Sequence, residues 1–273
     1  MNPIPNTLAA VIFDWAGTVM DFGSRAPMGA FVRLLAAHDV EISVAEARVP
    51  MGLPKWQHIR ALLDLPRVAA AWQRVHGRPA GDADVHLLYE AFTPMSVQAA
   101  VDQAQIVPGA AEMVAALRRR GLRIGSTTGY HAPIMEAVAP LLAAQGFAPD
   151  NCVRAGDVEP GRPAPLAIYR TFVELGVWPA WRVLKVDDTV PGLLEGRHAG
   201  CWTVAVAVSG NANGLSLDEW QALDAPAQAA RRAAASAALV EGRPDYTIDS
   251  VADLLPVLDD IEARLARGER PAP

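Results

Sequence analysis

Cysteine is scarce in this chain of 273 residues: Cys152 and Cys201 are the only two, both in apolar or strand-like surroundings. That excludes a disulfide framework and makes a reducing cytoplasm the expected compartment. Excess positive charge is missing too. Lys and Arg number 24 against 30 Asp and Glu, a formal net charge of −6, so there is no electrostatic footprint for nucleic acid. The Trp residues have no basic patch beside them to make a base-stacking platform. Apolar runs all fall short of the roughly 20 residues that cross a bilayer, so no membrane span is expected. Residues 1–7 lack the basic start of a signal peptide, and no internal repeat is visible. What is present, 51% hydrophobic and 20% charged residues, is the composition of a globular protein. Cores commonly split above about 250 residues, which predicts one large α/β core with a smaller inserted domain.

Residues 8–13 read as a buried parallel strand, a short apolar run without alternation. Further strands are predicted at 123–126, 152–154, 182–186 and 202–208. Helices are predicted at 110–120, 133–145, 165–175 and near 191–199, an alternation that specifies a doubly wound parallel sheet. From 26 to about 105 the apolar periodicity is helical throughout, at Met28, Phe31, Leu34 and Leu35, then Ile59, Leu62 and Leu63, then 68–75 and 85–92. The expected organisation is a core of residues 1–22 and 105–273 with an all-helical cap at 23–104, hinged near 21–26 and 104–108. An Ala-rich helix is expected at 222–240 and a frayed tail at 267–273. Sites in such sheets lie beyond the carboxyl ends of the strands, where Asp14, Thr127, Thr128, Asp187 and Asp188 all fall.

Phe13-Asp14-Trp15-Ala16-Gly17-Thr18 resembles the D-x-D-G-T motif of haloacid dehalogenase (HAD) superfamily phosphotransferases, with Ala16 replacing the second Asp. Joined to Pro50-Met51-Gly52-Leu53-Pro54-Lys55-Trp56-Gln57-His58-Ile59, it resembles the phosphonoacetaldehyde hydrolase family over about residues 10–215. The resemblance implies an HAD-like core, Asp14 as nucleophile, and Mg²⁺ held by Asp14, the Ala16 carbonyl and Asp188. It implies Thr128 and Arg162 on the phosphoryl group, Lys55 as a Schiff-base amine and His58 as proton shuttle. Met51, Gly52 and Tyr130 match family positions around the substrate. It also implies a homodimer formed through the cap; the 28–35 pattern could supply that face, and fits an internal cap core equally well. Relatives often carry another Asp four residues after the metal-binding one. Here that position is Gly192, and Asp187 either compensates or orients Asp188. Ser24 stands where some relatives have Cys.

The chemistry is consistent with the missing carboxylate. Breaking a phosphorus–carbon bond expels a carbanion, which an acid facing an oxygen leaving group does not help. An imine on Lys55 would accept the electrons instead. A lysine is neutral only about once in 2,500 at pH 7, so Lys55 needs an apolar or electropositive setting. The activity that the resemblance implies is hydrolysis of phosphonoacetaldehyde to acetaldehyde and phosphate, in 2-aminoethylphosphonate degradation. One alternative is an HAD phosphatase or phosphomutase acting on a phosphate ester, against which Ala16 argues. Another is a catalytically silent phosphate-binding protein, against which the joint presence of Lys55 and Asp14 argues. A class I aldolase would have no use for Asp14, Thr128, Arg162 and Asp188. His131 and His198 are expected to be structural.

Overall fold

The computed structural model describes residues 5–50 and 55–272. Along the chain run β1 (Ala10–Phe13), α1 (Ala26–Ala36), α2 (Val44–Arg48), α3 (Lys55–Asp64), α4 (Pro66–His76), α5 (Asp82–Asp102) and α6 (Ala110–Arg119). They continue as β2 (Arg123–Ser126), α7 (Ala132–Ala144), α8 (Leu166–Leu175), β3 (Val183–Asp187), α9 (Val190–His198), β4 (Trp202–Val206), α10 (Leu217–Gln221), α11 (Ala225–Ala238), β5 (Tyr246–Ile248) and α12 (Leu254–Ala266). The chain forms two compact units, Met1–Arg25 with Ala104–Pro273, and Ala26–Gln103. No helix among the described residues is long and apolar enough to cross a membrane.

The first unit is built on a parallel five-stranded sheet of order β2-β1-β3-β4-β5. Strands β1, β3 and β4 are buried at every residue, as expected of apolar runs covered by helices on both faces. The chain leaves β1 towards β2 and leaves β3 towards β4, so the winding reverses between β1 and β3. A crevice opens at such a switch point, at the carboxyl ends of the strands. Phe13 is in register with both Ser126 and Val186. The residues that follow each of them, Asp14, Thr127 and Asp187, therefore reach the rim at one level.

Two expectations are corrected. Residues 152–154 make no strand, only an isolated bridge between Thr127 and Val153. The next rung would need the N–H groups of Ala155 and Tyr130, which donate instead to the Tyr130 carbonyl and to Thr128 Oγ1, each at 3.1 Å. The tail is not frayed through 270: Arg264 and Arg267 both hold Glu269 at 2.8 Å, and the Arg270 guanidinium lies 3.8 Å above the Trp181 ring. The sheet also gains β5, which pairs with β4 from Tyr246 to Ile248. Its three residues are too short for a periodicity signal.

The second unit is helical, with α1 packed along α5. Met28, Phe31, Leu34 and Leu35 on α1 are buried with Ile59, Leu62, Trp72, Val85, Leu88 and Phe92. The 28–35 face is thus internal to the unit. Truncating its centre, Leu34→Ala, should cost about 2–5 kcal/mol of stability through lost burial and an unfilled cavity. Urea unfolding followed by circular dichroism would measure this.

Candidate active site

The strand-end residues are tied together by one side chain from a loop. Arg162 Nη2 lies 2.9 Å from Asp14 Oδ1, Nη1 lies 3.4 Å from Asp187 Oδ2, and Nε lies 3.1 Å from Glu195 Oε2. Nη2 also donates to the Thr127 carbonyl at 2.8 Å and to its hydroxyl at 2.9 Å. A second cation stands behind it. Lys185, in the middle of β3 and fully buried, donates to Thr127 Oγ1 at 2.8 Å and lies 3.0 Å from Asp187 Oδ2 and 3.6 Å from Glu195 Oε2. The Thr127 hydroxyl completes the knot by donating to Glu195 at 2.9 Å.

Asp14, Asp187 and Asp188 can each bring a carboxylate oxygen within 4.8 Å of the others. Crowding of this kind resists ionisation. Burial and the neighbouring Asp187 push the Asp14 carboxyl up to about 6, against the pull of Arg162 and Lys185. Asp188 is raised well above the carboxylate range by burial, Asp14 and Asp187. Asp188 Oδ2 accepts the Asn211 N–H at 2.7 Å, whereas its Oδ1 is buried with no hydrogen-bond partner. Crowded oxygens, one of them orphaned, fit a divalent cation. The turn after β1 brings backbone close to them: the Trp15 carbonyl accepts the N–H groups of Thr18, Val19 and Met20, and Gly17 has φ +82°. A Cβ on Gly17 would fall 2.1 Å from Asp188 Oδ2, so only glycine fits.

Thr128 and Tyr130 lie beyond β2. The Thr128 hydroxyl accepts the Tyr130 N–H at 3.1 Å. The Tyr130 hydroxyl is buried without a partner, and burial with Asp21, Asp14 and Asp188 nearby raises its pKa well above the phenol range. It therefore stays a donor.

In the helical unit, Lys55 opens α3, with Nζ 5.5 Å from the ring centres of both Phe31 and Phe92. Burial lowers its pKa from that of an ordinary lysine. His58, one turn on and 1% exposed, stacks on Phe31 with ring centres 3.9 Å apart and planes 6° from parallel. Burial pulls its pKa down to about 4, helped by the Lys55 charge and opposed by a contact of Nε2 with the Ala47 carbonyl. That contact is 2.9 Å. A carbonyl only accepts, so neutral His58 carries its proton on Nε2 and a lone pair on Nδ1. Met51 and Gly52 lie outside the described residues.

The haloacid dehalogenase-like hydrolase family model matches residues 8–200. The chain is 52% identical to phosphonoacetaldehyde hydrolase of Paraburkholderia phytofirmans, over 96% of this chain and 98% of that one. It is 46% identical to the protein of the same name from Pseudomonas fluorescens, over 98% and 97%. The chain belongs to the phosphonoacetaldehyde hydrolase family. It is an enzyme of the hydrolase class. A crystal structure of a phosphonoacetaldehyde hydrolase-like protein from Oleispira antarctica superposes with TM-score 0.87 at 41% identity, covering 97% of this chain and 96% of that one. A β-phosphoglucomutase-like protein from Thermotoga maritima, TM-score 0.62 at 18% identity over 93% and 99%, shares the fold.

For this family member the core unit gathers Asp14, Arg162 and Asp188 with Asp187, and the helical unit pairs Lys55 with His58. Two residues of the charge knot went unforeseen, Lys185 and Glu195, while Thr127 was expected at the strand end without its bonds to them. Composition held a signal for one of them, since Lys55 and Lys185 are the only lysines among 24 Lys and Arg residues. His131 and His198 each place Nδ1 against a backbone carbonyl, of Ala155 at 3.0 Å and Pro163 at 2.8 Å.

His58 gives a pH signature of stability. Its pKa is about 4 in the fold against 6.5 in the unfolded chain, so between those values the unfolded state binds more protons. Stability is full above about 6.5 and declines as pH falls towards 4. Between pH 7 and pH 5 the native chain should lose about 1–2 kcal/mol more than His58→Gln, as read from urea unfolding at both pH values.

Proposed function

We propose that this enzyme hydrolyses phosphonoacetaldehyde to acetaldehyde and phosphate, the step that follows transamination in degradation of 2-aminoethylphosphonate. The observation that carries the reading is the state of Lys55. Of the two lysines in the chain, Lys185 is committed to Thr127, Asp187 and Glu195, while Lys55 is desolvated between aromatic rings with its pKa lowered. An amine so placed is available as a nucleophile towards an aldehyde.

In the proposed reaction Lys55 Nζ adds to the aldehyde carbon, and loss of water leaves a protonated imine. Asp14 then attacks phosphorus. The phosphorus–carbon electron pair moves into the imine to give a neutral enamine, and the phosphoryl group stays on Asp14 as an acyl phosphate. Protonation of the enamine at carbon and hydrolysis release acetaldehyde and free Lys55, and water cleaves the aspartyl phosphate. His58, neutral with a lone pair on Nδ1, moves protons in the imine and enamine steps. Arg162, the Thr128 hydroxyl and the Tyr130 hydroxyl donate to phosphoryl oxygens. Asp14, Asp188 and the Ala16 carbonyl would hold Mg²⁺, which would neutralise charge on those oxygens. The unit at 26–103 serves as the cap and the remainder as the catalytic core.

Borohydride reduction in the presence of phosphonoacetaldehyde, followed by peptide mapping, tests the imine. An adduct on Lys55, with Mg²⁺-dependent phosphate release lost by about 10³-fold or more in Lys55→Arg, is the expected result. Phosphate release with no lysine adduct would instead mark a phosphatase-like enzyme of another design, one that breaks the phosphorus–carbon bond without an imine. Absence of both would mark a silent phosphate-binding protein.

A further inference from the structure

Asp187 and Gly192 compete for one volume. Gly192 is the third residue of α9, whose cap is Thr189; the Thr189 hydroxyl accepts the Gly192 N–H at 3.2 Å. A β carbon on residue 192 would lie 2.0 Å from Asp187 Oδ2, 2.1 Å from its Cγ and 2.3 Å from its Oδ1. Any side chain there would evict the carboxylate. The slot can be filled from the end of β3 or from the first turn of α9, but not from both.

What occupies the slot decides how Arg162 is held. Asp187 Oδ1 takes the Thr189 N–H at 3.0 Å and the Thr189 hydroxyl at 2.7 Å. Its Oδ2 makes no aligned hydrogen bond, yet faces Lys185 Nζ at 3.0 Å and Arg162 Nη1 at 3.4 Å. Both oxygens are thus spent on Thr189 and the two cations. The oxygen with no such partner is Oδ1 of Asp188. Within the acidic cluster, Asp187 serves the cations and Asp188 is the carboxylate left for an ion. With Nη1 on Asp187, Nε on Glu195 and Nη2 on Thr127, the guanidinium plane is fixed by three acceptors. The remaining direction of Nη2 is set on Asp14.

We infer that Asp187 is a positioning residue that aims Arg162 at Asp14, that Gly192 is what admits it, and that a carboxylate carried by residue 192 opposite a glycine at 187 would do the same work. The inference rests on the proposed reading only in taking Asp14 and Arg162 as the phosphoryl site.

The test is a reciprocal exchange. Asp187→Asn, Asp187→Gly, Gly192→Asp and the double variant Asp187→Gly/Gly192→Asp are compared with the native chain by three readouts. These are the kcat and KM of phosphate release, the Kd for inorganic phosphate in Mg²⁺ by calorimetry, and Tm in EDTA. Asp187→Asn, which keeps the shape and removes the charge, should lower kcat by about 10–100-fold with KM changed by less than about threefold, because an aim lost at the transferring group is felt in the transition state. Each exchange partner alone should lower Tm and weaken phosphate binding. The double variant should recover most of the Tm and at least about tenfold of the kcat or phosphate affinity lost in Asp187→Gly. A double variant no better than Asp187→Gly by any readout overturns the shared slot. Recovery of Tm without recovery of kcat or phosphate affinity overturns the positioning role. If the native chain does not act on phosphonoacetaldehyde, the proposed reaction fails, and the phosphate and Tm comparisons still decide this inference.

Discussion

Arg162, partly buried, and Lys185, fully buried, are set among Asp14, Asp187 and Glu195, and the strand-end geometry depends on those charges cancelling. A parallel sheet whose winding reverses between β1 and β3 delivers Asp14 beside Asp187 and Asp188, with no choice in the matter. Carboxylates so close repel, and burial sharpens the repulsion. One guanidinium answers it by spending separate nitrogens on separate acids, which a point-like ammonium cannot do. Removing a single partner from such a network leaves an uncompensated buried charge, a loss of about 3–5 kcal/mol in comparable cases. Asp187 registers the balance: despite burial, Arg162 and Lys185 hold its pKa below the usual carboxylate range.

The two lysines show how environment divides one residue type between two tasks. Lys185 sits in a strand with no exposed surface and two carboxylates in reach, and serves there as a structural ion-pair partner. Lys55 meets aromatic faces, and burial alone shifts its pKa downwards. The aromatic faces attract a cation, so they restrain the very deprotonation that desolvation favours. His58 shares Phe31 with Lys55 from a stacked position and is kept neutral by the same apolar wall.

Much of this was legible in the chain because the relevant signals are local. Asp14 follows an unbroken apolar strand, Asp188 follows another, and both are announced by the strands themselves. Arg162 was reached through the family resemblance. Lys185 and Glu195, and the bonds that tie Thr127 to them, were not legible, because their meaning is pairwise. A lysine within Val183-Leu184-Lys185-Val186 looks like an interruption until the partners at 127, 187 and 195 are brought beside it by a sheet and a helix. The failed strand at 152–154 is a related case: its residues favour extension, and the N–H groups of Ala155 and Tyr130 that the next rung needs are taken by a carbonyl and a hydroxyl beyond β2. Gly192 reads as a missing acid in sequence, and in space as room for an acid supplied from elsewhere.

The burial of Lys185 reaches beyond the charge balance, into how the molecule meets reagents. With its ammonium sealed in the sheet, the only other side-chain amine is that of Lys55. A dye ester, a biotin linker or an aldehyde fixative added to the folded chain is thereby left, among the side-chain amines, with α3, whatever its purpose. Chemistry intended for an indifferent surface lysine would report on, or block, a desolvated amine set against two aromatic rings.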